Sequence, residues 1–234
     1  MPDPSTSFTR DQLRALFNLG VSLAVMLVLL FCPAGTLAWP LGWWFIGVFV
    51  VLTAIAVLYM RKANPELFAA RRHLRNPGSK DWDVVVASLT IVAIAAILPV
   101  AALDNARFGW APAPQWAIGL GYLLFAASYV LTTWAQGVNR YFEPTVRIQT
   151  ERGHRVIDSG PYAVVRHPGY IGAVVMSVGV ALALGSLWAL VPAALVAVLL
   201  IGRTLAEEAT LKAELPGYAE YTGRVRYRWA PGVW

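Results

Sequence analysis

The chain has 234 residues, of which 58% are hydrophobic and 14% charged, and its 19 Lys and Arg against 13 Asp and Glu give a formal charge of +6. Soluble domains carry about 25% charged residues, so this composition excludes an ordinary soluble enzyme and leaves an integral membrane protein. At roughly 20 apolar residues per pass there is room for five or six passes and about 80 further residues, too few for a separate catalytic domain.

In chain order, the first 12 residues (MPDPSTSFTRDQ) are polar and lack the apolar core and small-residue cleavage site of a secretory signal. Apolar stretches then run from Leu13 to Phe31, Leu41 to Met60, Val84 to Leu103 and Gln115 to Ala135, each near the length of a spanning helix. Trp39, Trp43, Trp44, Trp82, Trp110 and Trp116 lie near their ends and read as headgroup-belt rings. Cys32 is alone, which excludes an intramolecular disulfide, and its place at the end of an apolar run predicts packing. The last apolar stretch, Gly169 to Gly202, is 34 residues long. As one helix it would span about 50 Å against a hydrocarbon core of about 30 Å. Gly185-Ser186 near its middle predicts two helices joined by a tight turn that neighbouring helices shelter. The expected fold is an all-α polytopic membrane bundle of about six transmembrane helices, the last two a hairpin.

With six passes, 18 of the 19 basic residues fall on one side and only Arg107 on the other. The positive excess is therefore a topology signal rather than a nucleic-acid footprint. It predicts a multi-pass protein of the cell's inner (plasma) membrane with both termini cytoplasmic. No internal repeat or low-complexity tract is present. Residues 1–136 form four passes, whereas residues 137–234 hold the hairpin between two polar segments, 137–168 and 203–234. Flanking one hairpin, these segments must meet on the cytoplasmic face and build any cofactor site there.

The first polar segment contains the turn Gly160-Pro161-Tyr162 and then Arg166-His167-Pro168-Gly169-Tyr170 at the mouth of the hairpin. Proline is tolerated in the first helical turn, and a helix starting at Pro168 or Gly169 would direct free amides and a positive dipole end at an anion. Read locally, Arg166 and His167 serve equally well as interfacial anchors. The second segment opens with Arg203-Thr204-Leu205-Ala206-Glu207-Glu208. On a continuing helix Arg203 and Glu207 are one turn apart, either a simple salt bridge or, at the membrane boundary, part of a site. Leu211 to Arg228, interrupted at Pro216-Gly217, reads as an amphipathic surface segment whose Arg224, Arg226 and Arg228 meet anionic lipid. Glu66 and Arg71-Arg72-His73 read as a solvated, lipid-facing patch. There is no G-x-G-x-x-G, P-loop or G-x-S-x-G. His73, His154 and His167 are widely spaced beside a single cysteine, so no metal site is expected.

The ordered set His154-Arg155-Val156-Ile157, Gly160-Pro161-Tyr162, Arg166-His167-Pro168-Gly169-Tyr170-Ile171-Gly172, an apolar hairpin, and Arg203 before Glu207-Glu208 with Leu211, Gly217-Tyr218 and Tyr221 resembles the isoprenylcysteine carboxyl methyltransferase family, within the wider group that includes phospholipid methyltransferases. The resemblance covers roughly residues 137–231. It implies an S-adenosyl-L-methionine-dependent membrane methyltransferase. By position its cofactor contacts fall on His154, Arg155, Val156, Ile157, Tyr162, His167, Pro168, Gly169, Tyr170 and Glu207, with an earlier polar contact on Arg147 by alignment or Gln149 by chemistry. Arg203 then faces the acceptor, so Arg203 and Glu207 are the expected catalytic pair. The implied partner is a lipophilic or lipidated acceptor entering from the bilayer, with membrane lipids around it and no nucleic acid. An isoprenylcysteine-like carboxylate suits Arg203. A phosphatidylethanolamine-type amine and, with NADPH in place of adenosyl-methionine, a sterol-type reduction are the alternatives.

Overall fold

The computed structural model describes residues 10–64 and 76–234, so Glu66, Arg71, Arg72, His73 and Arg75 lie outside the described residues. The chain is helical: α1 (Arg10–Ala34), α2 (Pro40–Ala63), α3 (Asp81–Ala101), α4 (Gln115–Val138), α5 (Pro168–Ala183), α6 (Leu190–Glu214) and the short α7 (Tyr218–Arg224). Among the described residues there is no strand, only an isolated antiparallel bridge between Pro112 and Ser186. Pro40–Ala63, Asp81–Phe108, Gln115–Val138 and Leu190–Glu214 are long and apolar enough to cross a membrane, whereas Leu19–Ala34 and Pro168–Ala183 are shorter apolar helices. Side chains such as Val92, Leu123, Val130 and Val198 stand exposed along the bundle, as expected of surfaces that meet lipid rather than water.

Local chemistry sets the helix ends. Pro40 and Pro168 occupy first-turn positions where a missing N–H costs nothing. Asp81 and Asp83 lie in the first turn of α3 and Arg61 and Lys62 in the last turn of α2, each opposite the helix-end charge. Pro99 disturbs the α-helical ladder, and α3 continues as a π-helical turn over Ala102–Phe108 that stops at Gly109 with φ +62°.

The predicted hairpin forms, with its turn at Gly185-Ser186, but it is unequal. Helix α5 has 16 residues and α6 has 25, because α6 runs on past Gly202 through the charged residues to Glu214. The turn is sheltered by protein. Asn105 Nδ2 donates to the Gly185 carbonyl (3.0 Å), Ala113 N–H donates to the same oxygen (2.9 Å), and Asp104 accepts from Ser186 Oγ (2.6 Å) and from Ala111 N–H (2.6 Å). The links α1–α2 and α3–α4 meet at this end, through Trp39 Nε1 donating to Asn105 Oδ1 (2.9 Å). The link α4–α5 and the C-terminal residues meet at the other.

Helix α4 packs along the length of α5. A Cβ at Gly121 would collide with the backbone of Leu182 and Ala183, and one at Gly179 with the backbone of Phe125. Small residues let two apolar helices approach closely where the hydrophobic effect cannot drive them together. The main core, from Met26, Leu30, Phe31, Phe45, Ile97, Phe125 and Leu184, fills the half of the bundle nearer the hairpin turn.

Three sequence expectations change. Trp39 is buried at 4% exposure rather than belt-like, because its indole N–H has Asn105 to meet and its ring packs edge-on to Phe31 at 6.2 Å. Cys32 is exposed on the apolar surface, because α1 turns it outward. Leu211, Leu215, Tyr218, Tyr221 and Val225 do not form a lipid-facing stripe; they pack with Ile148 and Val156 as a small protein core. The chain reverses at Gly217 (φ +82°), which folds α7 back against the polar segment before α5.

Candidate active site

At the end opposite the hairpin turn, the polar segment 139–167, the start of α5, the end of α6 and α7 enclose one cavity, of about 870 Å³ with its open mouth included. Arg147, Gln149, His154, Arg155, Val156, Ile157, Tyr162, His167, Gly169, Tyr170, Arg203 and Glu207 all line it. Of the residues expected at the site only Pro168 stands back, fully buried in the first turn of α5.

The helical register of α6 separates two adjacent acids. Glu208 is buried and accepts from Arg166 Nε (2.5 Å) and Arg228 Nε (2.9 Å), with His167 Nε2 at 3.3 Å. Arg166 Nη1 also donates to the carbonyls of Val225 and Arg226. The backbone N–H groups of Arg166 and His167 donate to the Tyr227 and Arg228 carbonyls. Glu208 thus clamps the C-terminal residues onto the mouth of α5. Glu207, about 100° round the helix, faces the cavity with its side chain 19% exposed. It accepts a hydrogen bond from the Tyr170 hydroxyl, and His167 Nδ1 lies 3.9 Å away. The Tyr170 ring stacks on His167 at 5.3 Å and has the Arg203 guanidinium 5.3 Å from its centre.

Arg203 does not pair with Glu207. Its Nε and Nη2 grip Asp83 of α3 at 2.7 and 2.9 Å, and Nη2 also donates to the Pro144 carbonyl at 2.6 Å. Asp83 was invisible as a partner because it stands 120 residues earlier. Its one signal is an acid in the first turn of an apolar pass, where ionisable groups are costly unless paired or functional.

The wall from residues 141 to 157 is rigidly tied. Gln149, 1% exposed, donates through Nε2 to the Tyr141 carbonyl (2.7 Å) and accepts from Arg152 (2.6 Å). Arg147 is held by Glu143 through two bonds, 2.7 and 2.9 Å, and by Glu151 at 2.6 Å. Both candidates for the early polar contact therefore line the cavity with much of their donor capacity in use. His154 packs against Tyr141 at 4.4 Å and accepts the Gln149 backbone N–H on Nδ1 (3.2 Å), which leaves its proton on Nε2. Burial first, then the Arg147 charge, lowers its pKa to about 4, so the ring is neutral at pH 7. Tyr221 donates to the Tyr162 carbonyl (2.7 Å), and Asn139 donates to the Tyr162 hydroxyl (3.2 Å). Burial pushes the Tyr218 and Tyr221 hydroxyls up, so both stay neutral donors.

Sequence reasoning missed Asp83, Asn139, Tyr141 and Glu143, which sit in no motif. Among the described residues no three His, Cys, Asp or Glu side chains gather as metal ligands. Chemically the cavity offers the Glu207 carboxylate outside any arginine pair, the Arg203 guanidinium positioned by Asp83, ring donors and aromatic walls at the edge of an apolar bundle. Residues 117–213 match the isoprenylcysteine carboxyl methyltransferase (ICMT) family. No curated protein matches the chain.

Proposed function

We propose, from the match of residues 117–213 to the isoprenylcysteine carboxyl methyltransferase family, that the chain belongs to that family and is an S-adenosyl-L-methionine-dependent methyltransferase acting on the carboxylate of a lipophilic acceptor, isoprenylcysteine-like or another lipid acid. One observation supports this above the others: residues from segments far apart in the chain, Arg147 to Ile157, Tyr162 to Tyr170 and Arg203 to Glu207, face a single cavity.

The donor set fits adenosyl-methionine, which carries two positive groups, a carboxylate and an adenine ring. Glu207 is the carboxylate that a sulfonium or ammonium requires, and Tyr170 fixes its direction. The first turn of α5, with Gly169 at the wall, suits the cofactor carboxylate. The neutral His154 ring and the tyrosines provide flat surfaces and single donors for the adenine, and the His167 ring adds another flat surface. Bound there, the sulfonium supplies an electrophilic methyl group. The residues then have to hold the acceptor oxygen in line and exclude water, since an ionised carboxylate needs no base. Arg203 holds that oxygen through Nη1, the guanidinium nitrogen outside the three bonds to Asp83 and Pro144. The apolar tail lies toward the bilayer, between helices. Because 13 basic residues from Arg61 to Arg228 lie at the cavity end of the described structure and Arg107 at the other, the cavity and both termini face the cytoplasm.

The test is calorimetry on detergent-purified protein. Glu207→Gln removes measurable adenosyl-methionine binding, whereas Arg203→Lys keeps it and lowers methyl transfer to a small residual rate. Unchanged cofactor affinity in the Glu207 variant overturns the reading. Binding of NADPH in place of adenosyl-methionine moves it to the reductases. Membranes incubated with methyl-labelled cofactor yield a labelled lipid ester by mass spectrometry; a labelled amine overturns carboxyl transfer.

A further inference from the structure

Asp83 lies outside residues 117–213, in the half of the chain that holds none of the motifs, yet it is the residue that fixes the geometry of Arg203. Its carboxylate is completely buried. Oδ1 accepts from Arg203 Nε at 2.7 Å, and Oδ2 accepts from Arg203 Nη2 at 2.9 Å and from the Val146 N–H at 2.6 Å. One acid therefore joins three elements: the start of α3, the second half of α6, and the loop 144–146 of the cavity wall. The Pro144 carbonyl takes a second bond from Nη2, and the Tyr170 ring covers the guanidinium 5.3 Å from its centre. With Nε and Nη2 engaged, Nη1 is the free corner of the fork, on a side chain that lines the cavity.

We propose that Asp83 is a positioning residue for methyl transfer: it locks the Arg203 guanidinium so that Nη1 presents a directed donor to the acceptor's anionic oxygen. This rests on the reading of Arg203 given above. An arginine side chain has about 2 kcal/mol of rotamer entropy to lose, and a bidentate carboxylate removes that freedom before substrate arrives. The pair is also near neutral, so Arg203 recognises the acceptor by direction more than by net charge, and Glu207, held by the Tyr170 hydroxyl and not by a guanidinium, is left for a cationic cofactor. A misplacement of about 1 Å costs up to about 10²-fold in rate, which is the scale at stake in the Asp83 contact.

A purely structural Asp83 would matter equally whatever stands at position 203, and this separates the two roles. The experiment uses the full chain in detergent, with methyl transfer from labelled adenosyl-methionine to N-acetyl-S-farnesylcysteine and cofactor affinity by calorimetry. Asp83→Asn lowers kcat by about 10- to 10²-fold and raises the acceptor KM, while the cofactor Kd stays within about twofold. In the Arg203→Lys background, Asp83→Asn adds no more than about twofold, since residues acting through one another are non-additive. Losses that multiply in the double variant, or a Kd that weakens along with kcat, overturn the proposal. If Asp83→Asn is not recovered folded, Asp83→Glu takes its place with the same readouts, its extra methylene displacing the fork while keeping the charge. An unchanged rate in Arg203→Lys, or no transfer by the wild type, removes the role of Arg203 and this inference with it. A full effect of Arg203→Lys with none from Asp83→Asn or Asp83→Glu overturns this inference alone.

Discussion

At each end of the bundle a buried acid from α3 or its π-helical continuation meets the hairpin. At the turn end, Asp104 takes neutral donors only, the Ser186 hydroxyl and the backbone of Ala111 and Trp188. Asn105 uses both ends of its amide, on Trp39 and on Gly185. Those donors and acceptors are consumed within the protein, and the network closes the turn. At the other end, Asp83 and Glu208 take three arginines between them, and a guanidinium corner, a carboxylate and a ring N–H are left facing a cavity. A buried charge at a membrane boundary is therefore not by itself a sign of function. Hydrogen-bonding capacity left over beside a cavity is the better sign, because a ligand can use it.

Three measurements test this contrast between the two ends. The largest effect belongs to Glu208→Gln, which leaves Arg166 and Arg228 without their counter-charge. Losing one partner of a buried pair costs about 4 kcal/mol, so a marked fall of melting temperature in detergent is expected, together with loss of transfer. Retention of full activity would mean that the C-terminal clamp is not needed by the site.

Next, Asp104→Ala at the closed end strands the Ser186 hydroxyl and two backbone N–H groups, at a cost of about 3 kcal/mol. Melting temperature falls, but adenosyl-methionine affinity per folded molecule is unchanged. A weakened affinity would show that the two ends are coupled.

The smallest effect is pH-dependent. His154 titrates near 4 in the folded chain against 6.5 for an ordinary imidazole. Between those values the unfolded chain binds more protons, so the stability this ring contributes is complete above about pH 6.5 and is lost as pH falls toward 4. The melting-temperature difference between wild type and His154→Gln should shrink across that window. A constant difference would mean that the ring is not held neutral by its surroundings.

Much of this architecture was readable along the chain. Runs of apolar residues at spanning length mark the helices, and Gly185-Ser186 marks the turn, because hydrophobic length and a positive φ are local properties. The convergence of 137–168 with 203–234 follows from a hairpin's own geometry, so nearly every expected site residue does reach the cavity. The roles of individual charges were less legible. Glu207 and Glu208 are adjacent, and only the register of α6 against α5 and the C-terminal residues assigns one to the cavity and the other to the clamp. Trp39 reads as a belt residue until Asn105, 66 positions away, is brought to its indole N–H.

Sequence alone determined that this is a membrane-spanning helical protein whose polar segments 137–168 and 203–234 flank its last hairpin, since 58% hydrophobic residues leave no room for a soluble domain. Tertiary structure decided which charge answers which. A guanidinium buried at a bundle end takes the carboxylate that packing brings to it, and for Arg203 that is Asp83 on α3 rather than Glu207 one turn along its own helix.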